Sequence, residues 1–202
     1  MSGQFWWFMA RSAGIISWAF LTASVLWGIL LSTDLFPKRR RPAWLLDLHR
    51  WFGGLTISFA LIHVGALIAD SYVEFSLLDV TVPFVSSWKP IPVALGVMAM
   101  WGLVAVEVTS LAMKSLPRRF WRIVHRTSYA TFWLASLHGT FAGTDTGKPI
   151  YVVSSSLSVL AIVFAVSYRV LNGRRRSNRA TRTRATPPIR ATQTLTSESV
   201  TP

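Results

Sequence analysis

Two stretches decide the fold: WLLDLHRWFGGLTISFALIHVGALIA at Trp44–Ala69 and FWRIVHRTSYATFWLASLHGTFA at 120–142. Each is long enough to cross the roughly 30 Å hydrocarbon core of a bilayer as a helix. Between them they hold all four histidines of the chain, His49 and His63 in the first, His125 and His138 in the second. An ionisable side chain inside a membrane span is costly unless a partner holds it, so all four are candidate functional residues.

Composition points the same way. Of 202 residues, 51% are hydrophobic and 14% charged, and the mean hydropathy is +0.42, which argues against an ordinary soluble globule. Ten Trp and twelve Phe suit a protein with aromatics at its membrane interfaces. The net charge of +13 falls in blocks beside apolar runs. It reads as topology determinants and anionic-lipid contacts, not as a nucleic-acid surface. With no cysteine there is no disulfide, no Cys-ligated cluster, no thiolate ligand to iron and no covalent c-type attachment.

The hydropathy pattern predicts an all-α membrane bundle of five transmembrane helices, near 12–33, 44–69, 91–113, 120–142 and 150–171. Trp6, Trp7 and Phe8 precede the first span as interface residues. Arg11 and the apolar run after it have the charge pattern of a signal peptide. The run exceeds the usual 7–15 residues, however, and no small-residue cleavage site follows, so a retained helix is expected. The connection 70–90 mixes acids with apolar residues at helical spacing and reads as a short amphipathic surface helix. Residues 143–149 form a small turn. Residues 1–171 are one membrane domain, and 172–202, rich in Arg, Ser, Thr and Pro, read as a disordered basic tail on anionic lipid.

The basic residues set the topology. Lys38, Arg39, Arg40 and Arg41 follow the first span, Lys114, Arg118 and Arg119 the third, and Arg174, Arg175 and Arg176 the fifth. Those segments share a side, which the positive-inside rule makes cytoplasmic, leaving the N-terminus outside. The second and fourth spans then run the same way, with His49 and His125 near the cytoplasmic face. His63 and His138 lie 14 and 13 residues further on, about 20 Å along each axis. The spans thus present two His–His rungs, and an iron porphyrin between facing imidazoles satisfies each. Fourteen residues return to within about 40° of one face, but thirteen leave His125 and His138 about 140° apart on an ideal helix. The fourth span therefore needs a tightened turn or bend, to which Thr127, Ser128 and Ser136 are suited through hydroxyl bonds to the preceding turn.

The 14 and 13 spacings, the pairs His49-Arg50 and His125-Arg126, and the run from Arg118 to Arg126 ending in Leu137-His138-Gly139 resemble the ferric reductase-like transmembrane domain family. That superfamily includes the NADPH oxidases, the ferric reductases and the haem subunit of the bacterial methionine sulfoxide reductase system. The resemblance covers about 44–171. It implies two non-covalent haem b groups carrying electrons across the cell membrane, His49 and His125 ligating the inner and His63 and His138 the outer. Relatives commonly have six helices against five here, and many continue into a flavin- and nicotinamide-binding domain. No Gly-rich dinucleotide fingerprint stands in this chain, so no FAD or NADPH site is expected in it. The implied donor is a separate flavoprotein reductase or a quinol, and the acceptor an external redox partner.

Each assignment has a plainer rival. The histidines alternatively bridge helices as structural residues of a haem-free scaffold or transporter subunit. Arg50 and Arg126 either pair with haem propionates or contact lipid headgroups. Glu107, the carboxylate well inside a span, either handles protons in quinol oxidation or, as the commoner case, forms an ion pair with a nearby Arg. Phe59, Phe132 and Trp133 lie between the rungs and read as packing residues rather than macrocycle contacts.

Overall fold

The computed structural model describes residues 2–33, 42–71 and 73–185, the side chains at 2–3 and 174–185 excepted. The basic loop of Lys38, Arg39, Arg40 and Arg41 and the tail from 186 onward lie outside the described residues. Those described form helices and no strand: α1 (Ser2–Ser32), α2 (Trp44–Ala69), α3 (Leu77–Thr81), α4 (Pro90–Leu111), α5 (Arg118–Arg126), α6 (Ser128–Ala142) and α7 (Pro149–Ala185). Four segments are long and apolar enough to span a membrane: Gln4–Ser32, Trp44–Ala69, Pro90–Leu111 and Pro149–Gly173.

The stretch 120–142, expected as the fourth span, is not one of these four: it forms two shorter helices that meet at Thr127. Thr127 has ψ −12°, its N–H bonds Val124 O at 2.9 Å, and its hydroxyl donates to the same carbonyl at 2.6 Å. That is a 3₁₀-like turn. Three residues at about 120° in place of about 100° add about 60° of rotation, in the sense that brings His138 toward the face of His125. The bend expected from the 13-residue spacing is therefore real, and Thr127 makes it. Ser136 acts elsewhere, its hydroxyl accepting from Trp18 Nε1 at 2.9 Å.

Two further boundaries differ from expectation. The first helix begins at Ser2 rather than near residue 12, because Arg11 does not have to end it. The Arg11 guanidinium pairs with Asp145 in the α6–α7 turn and lies 4.8 Å from the Trp7 ring centre. The last helix continues past Asn172 to Ala185, so residues 172–185, expected to be disordered, are helical. Arg and Ala favour helix, and no proline stands after Pro149 until Pro187.

Hydrogen bonds fix the register. Trp27 Nε1 donates to Leu45 O at 2.8 Å and Ser17 Oγ to Thr56 O at 2.9 Å, so α1 and α2 are antiparallel. Pro92 near the start of α4 meets His138, and Ser110 near its end meets His125, so α4 runs against α5 and α6 in the same way. Leu21, Val25 and Ile29 of α1, Phe132 of α6 and Ile162 of α7 form the main core. A second cluster, Phe75, Val80, Val93 and Val97, closes the end near α3. The amphipathic segment expected in 70–90 is α3, started by a capping box in which Ser76 and Asp79 bond reciprocally. The Ser76 hydroxyl and then its N–H hold the Asp79 carboxyl below its ordinary value. Large apolar side chains face outward along α7, with Phe164 72% exposed, as a lipid-facing helix requires.

The Arg11–Asp145 pair, joined by Lys148 at 2.9 Å from Asp145, ties the start of α1 to the α6–α7 turn. Asp145→Ala leaves a partly covered guanidinium unpaired and should cost about 1–2 kcal/mol after allowance for screening. Thermal unfolding in detergent measures it, and an unchanged Tm would show that the pair contributes nothing.

Candidate functional site

Each histidine leans on a neighbouring helix. On α2, His63 Nδ1 lies 2.6 Å from Ala10 O of α1. On α6, His138 Nδ1 lies 2.8 Å from Pro92 O of α4. A carbonyl oxygen only accepts, so Nδ1 carries the proton in both rings and Nε2 keeps a free lone pair. The other two histidines rest on hydroxyls: His49 Nδ1 is 3.4 Å from Ser24 Oγ, and His125 Nδ1 is 3.4 Å from Ser110 Oγ.

Glycines make these seats possible. A Cβ at Gly14 would lie 2.9 Å from His63 Nδ1, one at Gly96 2.6 Å from His138 Nδ1, and one at Gly28 3.1 Å from His49 Cε1. Gly14 and Gly96 each stand four residues after the carbonyl that holds their ring. The motif is Ala10-x-x-x-Gly14 in one hairpin and Pro92-x-x-x-Gly96 in the other. In a helix the residue at i+4 lies directly over the carbonyl of i, so a side chain there would bar the imidazole.

Two tiers result. His49 and His125 face each other with ring centres 6.0 Å apart and planes at 77°. His63 and His138 do so at 6.3 Å and again 77°. The structure thus brings together the pairs that the rung pattern predicts, on parallel helices. Direct packing between α2 and α6 is slight. α2 packs on α1 and α6 on α4.

The remaining candidates sort differently. Arg50 is exposed and bonds Asp47, one turn earlier on α2, at 3.1 Å. Arg126 is exposed on the last turn of α5. Glu107 forms no ion pair among the described residues, contrary to the expected Arg partner. Its Oε2 instead occupies the space over Gly53, where a Cβ would lie 3.0 Å away. Phe132 is fully buried in the core and stacks with Trp18 at 6.5 Å, Phe59 stacks with Phe20 at 5.9 Å, and Trp133 is 40% exposed. All three are packing residues.

Sequence reasoning missed the seats and Trp121. The Trp121 ring stacks on His125 at 5.0 Å and 24°, and its buried indole N–H has no acceptor among the described residues. The i, i+4 relation of Trp121 to His125 and the repeated four-residue step before Gly14 and Gly96 were the available signals.

Paired imidazoles inside a bundle of membrane helices define an integral membrane protein built around two facing histidine tiers. The chain belongs to the ferric reductase like transmembrane component family, which it matches over residues 13–136. Domains of this family generally bind haem and serve membrane electron transfer. The match takes in His49, His63 and His125 and ends two residues before His138. It also includes most of α1, which the resemblance over 44–171 left out and which supplies Gly14, Ser24 and Gly28 to the site. No curated protein and no solved structure matches the chain significantly.

The glycine seats make a sharp test. Gly96→Ala forces the His138 ring off Pro92 O and should cost about 1–3 kcal/mol by overpacking. Gly65→Ala on α2, which meets nothing within 4 Å, should be neutral or stabilise by up to about 1 kcal/mol. Equal melting temperatures for the two variants would refute the seat.

Proposed function

We propose that this protein is a b-type cytochrome that moves electrons across the membrane between two non-covalent haem b groups. His49 and His125 would hold one, and His63 and His138 the other. The observation that carries the reading is the spacing of the tiers. An imidazole nitrogen binds a first-row metal at about 2.0–2.1 Å, and the ring centre lies roughly 1.1 Å behind it. Two imidazoles on opposite sides of one metal therefore have centres about 6.3 Å apart, against 6.0 and 6.3 Å here.

Other observations support it. Among the described residues no three His, Cys, Asp or Glu side chains converge, so a metal at either tier has to bring its own equatorial ligands, as a porphyrin does. Nδ1–H bonds to Ala10 O and Pro92 O hold His63 and His138 in the tautomer whose Nε2 is free to ligate. The orphaned Trp121 N–H offers a donor to an acidic group at the edge of the His49–His125 tier. Arg126, on the last turn of the same helix, would pair with a propionate there, while Arg50 would share itself with Asp47.

Haem supplies one-electron iron chemistry. With an imidazole on each face, the residues leave no open position for an inner-sphere substrate, which favours electron transfer over oxygen binding. α5 and α6 together serve as the fourth of five spans, with Lys114, Arg118 and Arg119 on the cytoplasmic side and the N-terminus outside. A separate flavoprotein reductase or a quinol delivers electrons to the inner tier, and an external acceptor takes them from the outer one. The basic tail rests on anionic lipid.

Protein purified from haem-replete cells should be red, with a low-spin α band on dithionite reduction. His63→Ala and His125→Ala should each remove about half the haem. A colourless preparation would favour a scaffold with structural histidines, and full haem content in both variants would refute the ligand assignment.

A further inference from the structure

Glu107 is a carboxylate in the interior of a span, and the space it occupies lies over a glycine, Gly53, in the thin contact between α4 and α2. Its position is set from both sides. On α4 it stands three residues before Ser110, whose hydroxyl meets His125. On α2 its neighbour Gly53 stands four residues after His49. Residues three or four apart share a helix face, so the carboxylate lies one turn from the His49–His125 tier, on the side facing the other tier. The acid closest along α2, Asp47, is already paired with Arg50 at 3.1 Å. Among the described residues no cation neutralises Glu107.

A negative charge there acts unequally on the two tiers. A ferric ion in a porphyrin dianion between two neutral imidazoles carries one net positive charge, and the ferrous form carries none. A carboxylate nearby therefore favours the oxidised form, and most strongly at the nearer tier, because Coulomb energy falls with distance and is large in an apolar interior. Ligand hydrogen bonding acts in the opposite sense. The carbonyl-anchored His63 and His138 are the more basic ligands and lower the potential of their own tier. Left alone, the seats would make the outer tier the harder to reduce and hold electrons back.

Resting on the haem reading above, we propose that Glu107 is the counter-charge of the His49–His125 tier. It lowers the midpoint potential there and so drives the electron outward. With haem held at both tiers, one electron would pass from the inner to the outer, with no proton or bond exchanged. Glu107 touches no reacting atom, so it is a positioning residue for charge.

Redox titration of the purified haem-loaded protein, followed at the α band, tests this. Glu107→Gln should raise the midpoint of the inner haem, identified as the one that survives in a His63→Ala background. The outer midpoint should move less. The inter-haem equilibrium should shift by on the order of tenfold, which for one electron is about 59 mV. Glu107→Asp, which keeps the charge, should restore most of the wild-type value even if Glu107→Gln is poorly stable. Two haems with midpoints unmoved in the Gln variant, or moved equally in Gln and Asp variants, would overturn the counter-charge and leave the haem reading standing. Absence of haem from the wild type would overturn both.

Discussion

The structure depends on one interaction repeated in two hairpins: an imidazole N–H given to a backbone carbonyl of the helix beside it. Ala10 O holds His63 and Pro92 O holds His138. A histidine in an apolar bundle has to satisfy two nitrogens, and this bond satisfies one while fixing which nitrogen remains. The bond also dictates the helix pairs. α1 has to run antiparallel to α2 at close range, and α4 to α6, with a glycine wherever the ring crosses the partner backbone.

From this follows the division of labour between helices. α2 and the α5–α6 pair bear the histidines and pack little on each other, while α1 and α4 bear none and press close behind them. Each histidine helix is committed to its backing helix. The core of Leu21, Val25, Ile29, Phe132 and Ile162 lies where α1, α6 and α7 meet. The Arg11–Asp145 pair closes the end of this back layer nearest Ala10, one residue from the carbonyl that seats His63.

Much of this is legible in the sequence. Hydropathy locates the apolar helices, since a span of about 20 apolar residues leaves little else to form. The low tolerance of such an interior for charge marks all four histidines, and the thirteen-residue spacing demands a bend that Thr127 supplies. The seats are not legible, because a backbone carbonyl has no residue identity and a helical glycine has many possible reasons. Arg11 looks like a helix boundary from sequence alone because its partner, Asp145, is 134 residues away. The general cost of a lone carboxylate predicts an Arg partner for Glu107, whereas the chain gives it room over Gly53 instead.

The two hairpins are alike, but the two tiers they build are not equal. One tier is held by carbonyls at 2.6 and 2.8 Å, the other by serine hydroxyls at 3.4 Å. A carbonyl is a fixed acceptor on a rigid helix, while a hydroxyl rotates and both donates and accepts. The serine tier also carries the Trp121 N–H, unbonded among the described residues, and its His125 lies on α5 with Arg118, Arg119, Arg122 and Arg126. That tier therefore has the looser seats, the donor and the neighbouring carboxylate. The carbonyl tier has fewer adjustable groups.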